Sequence, residues 1–265
     1  MLRLIILLAI LSMAAGAFAQ AEVATIIQRS VEANHLDWEA APNYDHFERD
    51  LQPDGGTKTQ EVMMILGSDY YRLVAVNDKP LTPEEQAAEQ QRLEQVIAQR
   101  QSESPAQRAQ RTAKYERDLK RNRMLIEQLT VAFDFKLLGE RKLGPHDVYE
   151  LEATPRPGYK PPSIETKVLT GMRGKLWVDK QTYQWVKVEA EVIHPVSIMG
   201  FLARVEPGTR FELEEMPVED GIWLPKHFSM KAHAKVLFFF SHKTQEDETY
   251  FDYHKASGAG PPKAQ

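Results

Sequence analysis

From Val131 onward the hydrophobic residues recur every second position, and this period of two constrains the fold more than any other feature. It is cleanest in Gly174–Val192, where Leu176, Val178, Val186, Val188, Ala190 and Val192 fall on one face of two strands flanking a polar turn at Asp179–Thr182. Lys175, Trp177, Trp185, Lys187, Glu189 and Glu191 fall on the other. A sheet that is apolar on one face and charged on the other needs a cover for the apolar face only.

The same alternation runs through Val131–Leu137, Asp147–Thr154, Ile164–Leu169, Ile198–Glu206, Thr209–Glu215 and Ile222–Ala234. Thr249, Phe251 and Tyr253 close the series. Earlier, Tyr44–Leu51, Thr57–Leu66 and Tyr70–Val76 read as strands separated by Pro53-Asp54-Gly55-Gly56 and Gly67-Ser68-Asp69 turns. Pro155–Pro162 is a loop, since proline cannot join a ladder. Val236–Phe240 is a continuous apolar run, either a buried strand or a ligand wall.

Between these two strand sets the period changes to that of a helix. Thr82-Pro83-Glu84-Glu85 and Ser104-Pro105-Ala106-Gln107 are both capping boxes with proline at the first helical position. They predict helices over Pro83–Arg100 and Pro105–Leu129. The second carries a basic face, Arg108–Arg123, which reads as a solvated surface or as a seat for anionic lipid head groups or an acidic partner. Val23, Ile26, Ile27 and Val31 predict a further short helix over Glu22–Asn34. The expected fold is therefore mainly β with α: a single curved antiparallel sheet, an open half-barrel of about a dozen strands, with a helical lid at 83–129 inserted between strands. Strands before and after the helices read alike, so residues 20–255 are expected to form one domain, followed by a flexible tail at 256–265.

Residues 1–19 read as a signal peptide: Arg3, the apolar run Leu4–Met13, then Ala17-Phe18-Ala19. Cleavage is expected after Ala19, with Ala21 as a second register, and no cysteine follows to carry a lipid anchor. The chain has 33 basic and 38 acidic residues, a balance that argues against a nucleic-acid binder. With no cysteine at all, the core must stabilise an exported protein without disulfides.

The sequence offers little catalytic chemistry. It has neither a His-Glu-x-x-His metal signature nor a Gly-x-Ser-x-Gly elbow. Gly171–Lys175 lacks the spacing and the following helix of a phosphate loop. His227 with His233, and Asp252 with His254, would form a metal site only if their strands paired and the nearby lysines turned away. Glu189/Glu191 and Glu212/Glu214 share strand faces and read as plain surface rather than as an acid–base pair. Neither cofactor nor metal is expected, and no enzymatic activity, with an exported hydrolase as the distant third reading.

With its half-open apolar sheet, helical insertion, export signal and absent anchor, the chain resembles the LolA/LolB-like family of periplasmic lipoprotein-sorting proteins. The residues that carry the resemblance are Tyr70-Tyr71-Arg72-Leu73 with Asn77-Asp78-Lys79-Pro80-Leu81, and Gly174-Lys175-Leu176-Trp177-Val178-Asp179. The resemblance implies a periplasmic carrier that shelters the acyl chains of lipid or lipoprotein, with an inner- or outer-membrane protein as a further partner. Val186, Val188, Phe211, Leu213, Phe228, Met230 and Phe238 are the expected groove wall. The alternative is an envelope-stress sensor or assembly module on the same fold that binds protein rather than lipid.

Overall fold

The structure, a computed structural model, describes residues 2–198, 203–236 and 240–256, with the side chains of 2–19, 121–123, 125, 126, 165, 236 and 240–243 outside the description. Phe238 and most of the expected tail therefore lie outside the described residues, as do the side chains of Arg121 and Arg123.

Helix α1 (Leu2–Ala40) leads through a short 3-10 turn, Ala41–Asn43, into the sheet. It runs past the expected end at Asn34 because Leu36, Glu39 and Ala40 favour helix, and Pro42 then stops it. The strands β1 (Tyr44–Leu51), β2 (Thr57–Ile65), β3 (Ser68–Val76) and β4 (Lys79–Pro80) follow as a meander. Helices α2 (Pro83–Ser102) and α3 (Pro105–Ala132) come next, and both capping boxes close as expected. The chain then builds β5 (Phe133–Leu143), β6 (His146–Pro155), β7 (Met172–Asp179), β8 (Trp185–Val192), β9 (Val196–Ser197), β10 (Ala203–Val205), β11 (Arg210–Pro217), β12 (Trp223–Val236) and β13 (Phe240–Lys255).

All thirteen strands belong to one antiparallel sheet, with main order β4-β3-β2-β1-β13-β12-β11-β8-β7-β6-β5, while β9 and β10 branch from β12. The order never closes on itself, so the sheet is open, as expected. The first and last strands of the chain pair, β1 with β13, which stitches the amino-terminal meander onto the later strands. A twisted sheet of this many strands curls, and α3 lies across the curl, meeting β3 near one end and β5 at the other. Among the described residues, no helix is long and apolar enough to cross a membrane.

Two local readings change. Ile164–Leu169 is not a strand: Glu165–Gly171 forms a 3-10 helix, because Ser163 and Thr166 hydrogen-bond each other's backbone and offer the chain an alternative to a ladder. Val131 belongs to α3 rather than β5, since the helix continues to Ala132 and the Phe133 N–H donates to the Leu129 carbonyl.

The β7–β8 hairpin holds a third difference. A bulge sits opposite Trp177 and Val178, where Trp177 pairs with Lys187 but Val178 with Trp185. The extra residue swaps the faces at the start of β8. Trp185 joins Leu176 and Val178 in the core beneath α1, and Val186 turns to the opposite face with Val148, Trp177 and Trp223. Both tryptophans are buried in packing, on opposite sides of the sheet.

The main core lies between the sheet and α1. Val23, Ile26 and Ile27 of α1 press on Leu151, Leu176, Val178 and Trp185, with Leu129 of α3 beside them. A second cluster continues it through Ala132, Phe133, Leu169, Met172 and Val192. Away from the Val148, Trp177, Val186 and Trp223 cluster, the opposite face is cross-braced by ion pairs. Lys187 meets Glu189, Glu212 and Glu214, and Arg173 and Arg210 both meet Glu191. The carboxylate pairs singled out in the sequence are thus spent on this surface lattice.

Candidate functional site

The inner face, the one α1 covers, is continuous across the sheet. The register aligns Leu137, Leu151, Leu176, Val188, Leu213 and Phe228 in one row from β5 to β12. A second row runs Phe135, Ala153, Gly174, Ala190, Phe211 and Met230. The rows form an apolar trough, because side chains at directly opposed positions share a face. Gly174 lets β7 and β8 approach closely: a Cβ there would lie 2.5 Å from the Glu189 carbonyl oxygen.

The second half of α1, with the end of α3, fills the β5–β8 side of this trough. Between them remains a cavity of about 60 Å³, walled mainly by apolar groups such as Ile27, Val31, Leu129, Phe135, Met172 and Val188. That is well under the ~150 Å³ of an apolar cavity that admits benzene. An apolar guest larger than this can enter the covered part of the trough only by displacing a helix. Helices α2 and α3 flank the sheet as the expected insertion does, and α1 adds a cover over the β5–β8 side, while α2 packs on β3 through Arg100, whose guanidinium donates to the carbonyls of Ile65, Ser68 and Asp69. Beyond the helices the trough stays partly open, with Phe211, Leu213, Phe228 and Met230 only half-buried.

Past β12 the inner face changes character. The Phe228 and Met230 rows continue into Glu248 and Glu246 of β13, and the Glu248 row into Asp50 of β1. Carboxylate oxygens of Glu48, Asp50 and Glu248 lie within 4.8 Å of one another. Burial first, then the neighbouring Asp50 and Glu248 charges, push Glu48 up to about 8. Burial also raises Glu248, against the opposing hydrogen bond from the Tyr250 hydroxyl. His46, stacked on Tyr253 with ring centroids 4.9 Å apart, is held down to about 4 by burial and by His254. The cluster can share protons, and its hard oxygen donors are of the kind that hold a cation. Among the described residues it is the one group of three or more acids and histidines close enough for that.

Of the expected wall, the structure brings together Val188, Phe211, Leu213, Phe228 and Met230 on the inner face, places Val186 on the outer face, and leaves Phe238 outside the described residues. The histidine candidates do not gather: His227 Nε2 lies 3.2 Å from Asp247, and His254 Nδ1 3.0 Å from the Asp252 carbonyl. Gly171–Lys175 ends a 3-10 turn and enters β7, with no helix behind it. Sequence reading missed the acidic half of the trough. Its signal was His46, Glu48 and Asp50 at every second position of β1, a polar stripe along one face of the strand.

No family model and no curated protein matches the chain. Among solved structures it is similar to a LolA superfamily protein from Nitrosomonas europaea, at 12% identity and a TM-score of 0.32, over 88% of this chain and 93% of that one. It is similar to a putative outer membrane lipoprotein-sorting protein domain from Vibrio parahaemolyticus, at 12% identity and a TM-score of 0.34, over 88% and 94%. The MucA/MucB complex of Pseudomonas aeruginosa matches at 10% identity and a TM-score of 0.22, over 87% and 95%. The first two carry the name or the stated role of the family that the sequence resembles. At these TM-scores the likenesses assign no function.

Proposed function

We propose that the protein is a periplasmic carrier or binding protein that shelters the acyl chains of lipid or lipoprotein in the trough, entering where Leu213, Phe228 and Met230 are half-open and displacing α1 as it fills. In this reading residues 1–19 are removed on export and residues 20–255 act as one domain. The observation that supports it most is the apolar row from Leu137 to Phe228, which runs out from beneath α1 into partly exposed surface. Burial alone drives such binding: each methylene leaving water contributes about 0.8 kcal/mol, so no covalent step is needed.

Native mass spectrometry of the protein purified from a bacterial periplasm tests this reading. Co-purifying lipid, removed by detergent and regained on adding a long-chain fatty acid, supports it. Protein that carries no lipid and takes up none refutes it, and a bound polypeptide in its place would favour the protein-binding alternative.

A further inference from the structure

The seat of α1 contains two buried carboxyl groups that the trough does not use. Asp37, near the end of α1, is 3% exposed, and Glu215 of β11 is 8% exposed. One Asp37 oxygen accepts the Trp223 backbone N–H at 3.0 Å; the other has no partner. Glu215 Oε2 and the Oε1 of Gln184, itself 5% exposed, are likewise buried and unpartnered. Three buried acceptors without a donor are costly, and a proton on either carboxyl group removes the charge that makes its burial costlier still.

We propose that the protonated carboxyl groups of Asp37 and Glu215 latch the second half of α1 onto the sheet, and that α1 leaves the trough when they ionise. Two acids in one dry site cannot both ionise. Asp37 ionises first, since it receives the Trp223 N–H, whereas no donor reaches Glu215 Oε2.

The other groups around the pair do not neutralise it. Tyr253 of β13 faces Glu215 but gives its hydroxyl hydrogen to the Pro225 carbonyl. Asn34, one turn earlier on α1, gives its amide to the Ser30 carbonyl. His146 of β6 packs on the Trp223 ring and is committed to Asp179 at 3.3 Å. His35 and Glu39 of α1 pair with each other in solvent. Among the described residues, no cation acts on either carboxyl.

The sign follows from linkage. Burial raises Asp37 from 3.8 to about 6, and burial with the Asp37 charge raises Glu215 well above the carboxylate range. Both acids bind protons more tightly when α1 is docked, so docking weakens as pH rises through this window. Asp37 alone makes the docking constant about ten-fold smaller at pH 8 than at pH 5.

The latch rests on the fold alone; only its consequence for cargo rests on the binding reading. Hydrogen exchange by mass spectrometry on the full, lipid-free chain between pH 5 and 8, corrected for the intrinsic rate, tests it. Peptides within Val23–Ala40 are expected to lose protection about ten-fold or more, while β6 and β7 change little. Glu215→Gln and, separately, Asp37→Asn are each expected to reduce that dependence. Wild-type α1 protection that is equal at pH 5 and pH 8 overturns the latch by itself, even should neither variant fold. A pH dependence that survives unchanged in either variant overturns it too. Loss of lipid uptake with the pH profile intact would sink the carrier reading and leave the latch standing.

Discussion

If α1 occupies the place of the cargo, weakening its seat must tighten cargo binding while it destabilises the protein. Ile26 is the residue to change, because it is 2% exposed in the α1 core yet does not line the residual cavity, as Ile27 does. Ile26→Ala removes three carbons, which lowers the transfer contribution to α1 docking by about 2.4 kcal/mol. At 1.4 kcal/mol per decade, a guest that must displace α1 gains up to roughly 50-fold in affinity. The vacated space adds to the loss of stability, which should fall between about 2 and 5 kcal/mol. Titration with a fluorescent long-chain fatty acid, beside thermal melts of the same samples, reads both quantities. Opposite movements, a lower Tm with a tighter Kd, are the expected result. A lower Tm with an unchanged or weaker Kd would show that guest and helix do not compete, and the displacement reasoning would fail.

The bulge in β8 separates binding from stability: Val188→Ala should weaken fatty-acid binding, whereas Val186→Ala, on the outer face, should lower the Tm and leave Kd within two-fold. Gly174→Ala should cost about 1–3 kcal/mol in urea unfolding, since its Cβ would strike backbone that cannot yield without parting β7 from β8. Glu48→Gln should flatten the pH dependence of stability. Wild type loses stability as pH rises from 4.5 through about 8, so the variant should have the higher urea midpoint at pH 8.5 and little advantage at pH 4.5. Thr82→Ala and Ser104→Ala should each cost about 1 kcal/mol, read from urea midpoints, through the loss of a capping bond at α2 or α3.

The sequence by itself determined what depends on neighbours within a few residues. Thr82–Glu85 and Ser104–Gln107 place the helix starts because a cap and its backbone partner are three positions apart. The alternation in Phe211–Leu213 and Phe228–Met230 places those side chains on one face, because a strand repeats every two residues. Only the tertiary structure decided matters that arise between distant segments. Local alternation would set Val186 beside Val188, but the partner strand needs one more residue at Trp185–Lys187, and the bulge turns Val186 away. The periodicity of Val23, Ile26 and Ile27 shows that α1 has an apolar side without saying what it covers, because the matching surface is built from β6, β7 and β8 more than 100 residues later. Glu48 and Glu248 are 200 residues apart and become one acidic cluster only through the pairing of β1 with β13. Short-range hydrogen bonds and side-chain periodicity are written in the chain, whereas contacts across the sheet exist only once the whole of it has formed.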